Sequence, residues 1–178
     1  MYRYDINDVV RVTGFYNQTP LIEFVRKGRD VTNITGEKLH VNQVIQAMEQ
    51  AQSAAGFPVQ QYRAVADSVN SRYAFLVEVD GACPTEASLS SLLNALDAHL
   101  HELNLEYAQK RQSRRLGPPV LWIMKPGWFE RKASLSLHRN ARDAQFKTQL
   151  LSTVLEDSSE ALLIVKKADG SPTSGEPA

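Results

Sequence analysis

The chain has 178 residues, with 20 basic and 20 acidic side chains, four histidines and 43% hydrophobic residues. These values are typical of a soluble globular protein of about one domain, and they exclude collagen, a coiled coil and disorder throughout. No apolar run approaches the roughly 20 residues of a membrane-spanning helix, and residues 1–8 lack a signal-peptide pattern, so we expect a cytoplasmic protein without membrane contact.

The first elements predict a β-hairpin. Residues 8–16 alternate as a strand does, residues 17–20 (NQTP) have turn composition, and residues 21–27 form the partner strand. Gly28 then interrupts the pattern.

Six further segments follow in the order strand, helix, strand, strand, helix, strand. They are residues 31–35, 41–55, 59–67, 72–79, 85–110 and 120–124. The first helix ends where Gly56 and Pro58 stop it, and the second begins at Thr85 and carries a leucine stripe typical of core packing. This order predicts an α+β fold, a ferredoxin-like βαββαβ core preceded by the hairpin.

The last third of the chain is basic and then polar. Residues 109–148 hold 10 Lys or Arg against 2 Asp or Glu, whereas residues 1–108 hold 8 against 13. Such a basic segment either attracts anions or forms a solvated face beside acidic neighbours. We predict a loop with a short helix over residues 127–151, and a disordered end from Asp169 onward because that segment is rich in Gly, Pro and Ser.

Common catalytic and metal-binding motifs do not occur in the sequence. The single cysteine, Cys83, cannot form a disulfide within the chain, and no Cys/His cluster has zinc spacing, so we expect no metal site. We interpret the histidines as surface or capping residues. They are His40, His99, His101 and His138.

A set of short motifs, taken in order, is specific where each motif alone is not. The motifs are residues 2–8 (YRYDIND), 12–17 (VTGFYN) with Pro20, 24–28 (FVRKG), 36–38 (GEK), 103–107 (LNLEY) with Lys110 and Arg111, 116–119 (LGPP), 126–129 and 145–147 (QFK). Together they resemble the C-terminal part of the auxin-conjugating acyl-acid amido synthetases, the Gretchen Hagen family within the adenylate-forming superfamily. The resemblance covers residues 2 to about 151.

The resemblance implies an ATP-dependent ligase. The family joins a carboxylic acid to an amino acid through an acyl-adenylate, at a site between a large N-terminal domain and a small mobile C-terminal domain. It implies a junction and hinge hairpin over residues 1–30, the small lid domain over residues 31–151, and a mostly disordered tail over residues 152–178. The alternative that the longer protein is a thioester-forming relative remains open.

The resemblance also implies roles for six residues. Arg3 and Asp8 belong to an ATP-binding motif in which the acid accepts hydrogen bonds from the ribose hydroxyls. Lys27 stands where relatives often have an arginine that contacts the nucleotide, and Arg29 and Asp30 coincide with the superfamily's hinge. Lys147 matches the mobile lysine that stabilises the negative charge developing during adenylation.

The large domain's phosphate loop and acyl pocket do not occur in this sequence. We therefore expect an N-terminally truncated fragment that is inactive alone, with ATP and Mg²⁺ bound mainly by an N-terminal adenylation domain supplied in cis or in trans. The expected substrates are a carboxylic acid and an amino acid.

Two other interpretations remain open. The strand order also suits an RNA- or anion-binding module, and residues 72–77 (RYAFLV) faintly resemble its aromatic signature, although the glycine of that signature is missing and nucleic acid is an unlikely partner. A non-functional remnant of the ligase is the third interpretation.

Overall fold

A computed structural model of the chain describes residues 8–27, 31–139, 150–155 and 157–166. The first elements are the strands β1 (Asp8–Tyr16) and β2 (Thr19–Lys27), which pair antiparallel as a hairpin. The short strands β3 (Val31–Thr32) and β4 (Leu39–His40) pair with each other, and the helix α1 (Val41–Ala55) follows. The predicted hairpin is confirmed.

A five-stranded mixed sheet forms the centre of the domain, in the order β8-β5-β6-β7-β9. Its strands are β5 (Gln61–Asp67), β6 (Arg72–Glu78), β7 (Val120–Met124), β8 (Leu151–Ser152) and β9 (Ala161–Lys166). Strands β5 and β6 are antiparallel, whereas β7 runs parallel to β6 and antiparallel to β9. The remaining helices are α2 (Glu86–Leu103), α3 (Leu105–Gln112) and α4 (Trp128–Arg139), and a 3-10 turn spans Ser158–Glu160.

The main core lies between one face of this sheet and the helices α1 and α2. Strand residues alternate between faces, so Phe75 and Leu121 point toward the helices while Leu76 and Trp122 point to the opposite face. Helix α1 ends at Gly56, whose φ of 76° lies in the left-handed region that favours glycine. The α+β class with a preceding hairpin is confirmed.

The first predicted core strand differs from the observed one. Only Val31 and Thr32 of the predicted segment 31–35 are extended in a strand, and they pair with β4 outside the central sheet. The backbone N–H groups of Ile34 and Thr35 donate to the Glu37 carboxylate at 2.9 Å each. Because the Glu37 carboxylate takes both donors, residues 34 and 35 turn and do not continue the strand. In the central sheet, β7 is the strand that lies parallel beside β6.

The long helix predicted over residues 85–110 is two helices. Asn104 is extended (φ −140°, ψ 102°), and its side chain accepts from the Tyr107 N–H at 2.9 Å, which caps α3. Its amide group donates to the Lys38 carbonyl at 2.9 Å. Asparagine competes for backbone hydrogen bonds in this way, so the helix breaks at this residue.

Two strands follow the last one that the sequence predicts. Leu151 of β8 ends the segment predicted as a loop with a short helix, whereas Ser152 of β8 and the whole of β9 lie in the range assigned to the tail. Strand β9 is apolar, and its pairing with β7 places Val165 opposite Leu121. Its Leu162, Leu163 and Ile164 are partly exposed, and in the described part of the chain no strand pairs with its outer side.

Candidate functional site

The open end of the hairpin brings two predicted ATP contacts together. The register of β1 and β2 pairs Asp8 with Lys27 across the two strands. Directly opposite residues of an antiparallel pair have Cβ atoms about 5 Å apart. The backbone therefore holds a carboxylate-bearing and an ammonium-bearing residue side by side.

The other predicted site residues lie outside the described residues. They are Arg3, Arg29, Asp30 and Lys147. Their positions in the chain are nevertheless bracketed by described elements, since Arg29 and Asp30 lie between β2 and β3 and Lys147 lies between α4 and β8.

One face of the hairpin is apolar and exposed. The register places Val12 opposite Ile22 on this face, while the other face carries Arg11 opposite Glu23, an ion pair with a 3.7 Å separation. The apolar face comprises Val10, Val12, Phe15, Pro20 and Ile22. Val12 is 53% exposed, Phe15 67% and Ile22 62%. Within the described part of the chain, this face is therefore uncovered.

A buried carboxylate fixes the segment that follows the predicted hinge. Glu37 is fully buried and accepts a hydrogen bond of 2.7 Å from the Tyr73 hydroxyl, in addition to those from the Ile34 and Thr35 N–H groups. The Thr32 hydroxyl donates to the same Tyr73 oxygen at 3.3 Å. These contacts attach residues 32–37 to the central strand β6.

The pKa values of these two acidic groups shift in opposite directions. Burial raises the pKa of Glu37. The hydrogen bonds from Tyr73, Thr35 and Ile34 together lower this pKa by more than burial raises it, so the pKa lies below the ordinary value of 4.5. Burial, followed by the neighbouring Glu37 carboxylate, raises the pKa of Tyr73 well above its usual range, although Thr32 opposes this shift. At neutral pH, Glu37 is therefore an anion beside a neutral phenol.

A second buried carboxylate joins α2 to α3. Asp97 is 1% exposed and accepts from the Tyr107 hydroxyl at 2.7 Å and from the Arg111 guanidinium at 3.0 Å. Arg111 also donates to the Leu116 carbonyl at 3.2 Å. This pair is a structural joint, because Asp97 is buried, Arg111 is largely buried, and both are satisfied by protein groups.

A third buried carboxylate lies at the carboxyl ends of the parallel strands β6 and β7. Glu78, the last residue of β6, is 5% exposed and accepts hydrogen bonds from the N–H groups of Gly127 and Phe129. These two residues flank the first residue of α4, so Glu78, at the end of strand β6, caps the start of that helix. The turn requires Gly127, whose φ is 70°.

The RNA-binding interpretation depends on aromatic rings that the fold encloses. Tyr73 and Phe75 on β6 are 1% and 0% exposed and pack in the core beneath the helices. RNA-recognition sheets need exposed rings on which bases stack. The signature in residues 72–77 therefore provides no stacking surface.

The histidines have ordinary structural contacts where their side chains are described. His40 occupies the N-cap position of α1, His99 contacts Glu102 at 3.1 Å, and His101 lies 3.6 Å from Asp97. Among the described residues, no three His, Cys, Asp or Glu side chains are grouped so that they could hold a metal ion. None of the described helices is long and apolar enough to cross a membrane.

The sequence interpretation missed these three buried carboxylates. Glu78 could have been suspected, because it ends an otherwise apolar strand, and so could Asp97, because it lies on the leucine-rich side of its helix. Nothing local distinguishes Glu37 from an exposed loop acid, since its partners Tyr73 and Thr32 come together only in the fold.

Comparisons with known proteins agree on one family. The model of the GH3 family C-terminal domain matches residues 42–156, and the model of the GH3 family central domain matches residues 1–27. The chain is 27% identical to indole-3-acetic acid-amido synthetase GH3.4 of Arabidopsis thaliana, over 83% of this chain and 26% of that protein.

Two further comparisons give the same result. The chain is 29% identical to jasmonoyl–L-amino acid synthetase GH3.5 of Oryza sativa subsp. japonica, over 83% of this chain and 26% of that protein. Its fold is similar to that of the GH3.15 acyl acid amido synthetase, with a TM-score of 0.79, 22% identity, and coverage of 95% of this chain and 32% of the other. The chain thus spans about a quarter of the length of the curated relatives it matches.

Proposed function

The chain belongs to the GH3 family, and from this premise we propose that it is the C-terminal portion of an ATP-dependent ligase. That enzyme joins a carboxylic acid to an amino acid through an acyl-adenylate. Residues 31–151 act as its small lid domain, and the reaction requires the large N-terminal domain, in cis or in trans.

The uncovered apolar face of the hairpin carries this proposal. Residues 1–27 match the central domain of the family, which supports the assignment of the hairpin to that domain. A two-stranded hairpin is at best marginally stable in water, and exposed apolar side chains such as Val12 and Ile22 favour contact with another surface. The natural occupant of this face is the rest of the central domain.

The chemistry of the hairpin's open end fits a nucleotide. Asp8 supplies an acceptor for two ribose hydroxyls, and Lys27, its partner across the strands, supplies a cation for a phosphate oxygen. Arg3 contributes a further cation from the preceding segment. As the family resemblance implies, we assign Mg²⁺ to the large domain.

Lys147 and the hinge provide the moving parts of the proposed reaction. As the carboxylate attacks the α-phosphorus and pyrophosphate leaves, negative charge accumulates on oxygens. An ammonium group placed there stabilises the transition state more than the ground state. Arg29 and Asp30 lie between the hairpin and β3, and rotation of their backbone changes which face of the lid meets the site.

Release of pyrophosphate tests the proposal. With ATP, Mg²⁺, a series of carboxylic acids and amino acids, the chain alone should give no turnover, and adding the N-terminal and central domains of a relative as a second chain should restore it. Turnover by this chain alone would contradict its dependence on the large domain. No turnover in any combination would contradict the ligase assignment.

A lysine substitution tests the assigned chemistry in the same mixture. Lys147→Ala should slow adenylation by orders of magnitude and leave the second step largely intact. The matched control is Lys166→Ala, at an exposed lysine of β9. If Lys147→Ala behaves like this control, the lysine assignment is wrong.

A further inference from the structure

Strand β9 forms one edge of the central sheet, and its outer side is apolar. Its inner side pairs with β7, whereas no strand in the described part of the chain pairs with its outer side. Leu162 is 57% exposed, Leu163 38% and Ile164 36%, although the strand belongs to the sheet that carries the core. Apolar side chains in a row at a sheet edge favour the addition of another strand.

Opposite charges stand at the two ends of this strand. Glu160 lies directly before β9, at the end of the 3-10 turn, and Lys166 is the last residue of β9. None of the ion pairs among the described residues involves either side chain. A strand with an acid at one end and a base at the other is complementary in charge to a second copy that runs in the opposite direction.

The geometry of antiparallel pairing limits the ways in which two copies of β9 can meet. Residues that lie opposite each other in an antiparallel pair either both direct their backbone groups across the pair or both direct them away. Along a regular strand this direction alternates, so an even-numbered residue can oppose only an even-numbered one when a strand pairs with its own copy. The two-fold axis of such a pair therefore passes through a residue and not between two residues.

Of the possible centres, Leu163 gives the complementary arrangement. A centre at Ile164 would place Leu162 opposite Lys166, and a centre at Leu162 would place Ile164 opposite Glu160. With the axis at Leu163, apolar residues oppose apolar residues and the acid opposes the base. The opposed pairs are then Leu163 with Leu163, Leu162 with Ile164, Ala161 with Val165 and Glu160 with Lys166.

We propose that the outer edge of β9 is a homodimer interface in which two copies pair antiparallel about Leu163. The two five-stranded sheets then join into one continuous sheet, with the helices α1 and α2 of both copies on the same side. The same surface serves both copies, so the assembly closes at two. Because the contact is confined to one strand of each copy, we expect a weak dimer with a dissociation constant on the order of 10 to 100 µM. This interface does not depend on the proposed ligase function.

Analytical ultracentrifugation of the full chain tests the dimer. Concentrations from about 1 to 500 µM should show a monomer–dimer equilibrium. Leu163→Lys places two ammonium groups against each other at the axis and should raise the dissociation constant roughly 10-fold or more. The matched control is Ile22→Lys, on the exposed apolar face of the hairpin, which should leave the dimer unchanged. A monomer at every concentration, a dimer that survives Leu163→Lys, or one that Ile22→Lys also abolishes would overturn the proposal.

Reversal of the end charges tests the register without altering the apolar side chains. Glu160→Lys and Lys166→Glu should each raise the dissociation constant about 3- to 10-fold at low salt, because each change opposes like charges at both ends of the paired strands. The two changes together make the charges opposite again and should return the dissociation constant to the wild-type value. An additive loss in the double variant would contradict the pairing of Glu160 with Lys166.

Disulfide cross-linking reads the register directly, in a chain in which the exposed Cys83 is first replaced (Cys83→Ser). Leu163→Cys should form a covalent dimer under mild oxidation, because directly opposed residues have Cβ atoms about 5 Å apart, within reach of a disulfide bond. Leu162→Cys is the control, since the Cα atoms of its two copies lie roughly 8 Å apart in this register, too far for a disulfide bond. Cross-linking of both variants at the same rate, or of neither, would show that the two strands do not pair about Leu163.

Discussion

In the hairpin, the large apolar side chains that the structure describes face outward, whereas in the domain that follows most of them are enclosed between helices and sheet. Ile22 is 62% exposed, while Leu93 on α2 is 1% exposed. Among the side chains that the structure describes, the second region carries its own core and the first does not. The boundary between them coincides with the gap between the two family matches, residues 1–27 and 42–156. The following predictions test this contrast by urea unfolding of the chain alone.

The largest expected effect is at the buried joint of α2 and α3. Asp97→Ala removes the partner of both Arg111 and Tyr107 and should destabilise the domain by about 3–5 kcal/mol. The control, Glu102→Ala, removes an exposed acid of the same helix and should cost under about 1 kcal/mol. A loss at Asp97 no larger than at Glu102 would show that the joint is not stabilising.

Truncation of apolar side chains compares the two regions directly. Leu93→Ala should destabilise the domain by roughly 3 kcal/mol because it leaves a cavity, whereas Ile22→Ala should change the unfolding free energy by less than about 0.5 kcal/mol. Adding the large domain should make the Ile22 substitution costly for association. If Ile22→Ala is costly in the chain alone, the hairpin has its own core and the contrast fails.

The buried Glu37 carboxylate, which fixes the segment after the predicted hinge, should make the stability of the domain depend on pH. The folded pKa of Glu37 lies below 4.5, so its contribution to stability is present above pH 4.5 and is lost as the pH falls through the folded value. Glu37→Gln should be less stable at pH 7 and should lose less stability than the wild type during acidification. Parallel pH profiles for the two proteins would contradict this origin.

A helix cap gives a smaller difference. The Thr85 hydroxyl oxygen accepts from the Ser88 N–H at 3.2 Å, so Thr85→Ala should cost about 1 kcal/mol. Thr13→Ala is the hairpin control, because its exposed hydroxyl donates to the Leu21 carbonyl at 3.3 Å, and it should cost less than about 0.5 kcal/mol. Equal losses would remove this distinction between the regions.

The smallest effect is expected at the exposed ion pair of the hairpin. Arg11 and Glu23 are 67% and 59% exposed, and their separation is 3.7 Å. Arg11→Ala should change stability by at most about 0.5 kcal/mol, and less in high salt. A larger loss, measured at low and at high salt, would indicate that the hairpin is stabilised by its own charges.

Local signals predicted the parts of this fold that depend on local chemistry. The alternating pattern of β1 and β2 and the glycine stop after α1 appear where the sequence indicates them. The break at Asn104 has a local cause too, because asparagine is a favoured N-cap and Glu106 lies in the first turn that follows, but the continuous leucine stripe outweighed these signals.

The remaining differences arise from contacts between distant residues. Residues 31–35 have strand composition, yet Glu37 captures two of their N–H groups and is itself held by Tyr73, 36 residues away. The cap on α4 likewise comes from Glu78, far back in the chain. The sequence correctly indicated the family. That Asp8 lies opposite Lys27 became apparent only from the register of the hairpin. The roles of the six site residues stay predictions.

The outer side of β9 has a consequence for handling the protein. An unpaired strand edge is a template onto which a strand of another molecule can add, and exposed leucines beside it strengthen such an addition. Leu162 and Leu163 lie at this edge, with Glu160 directly before the strand and Lys166 at its end. Concentrated preparations should therefore be prone to intermolecular β-aggregation, and a lysine in place of Leu162 would act as a gatekeeper that improves solubility.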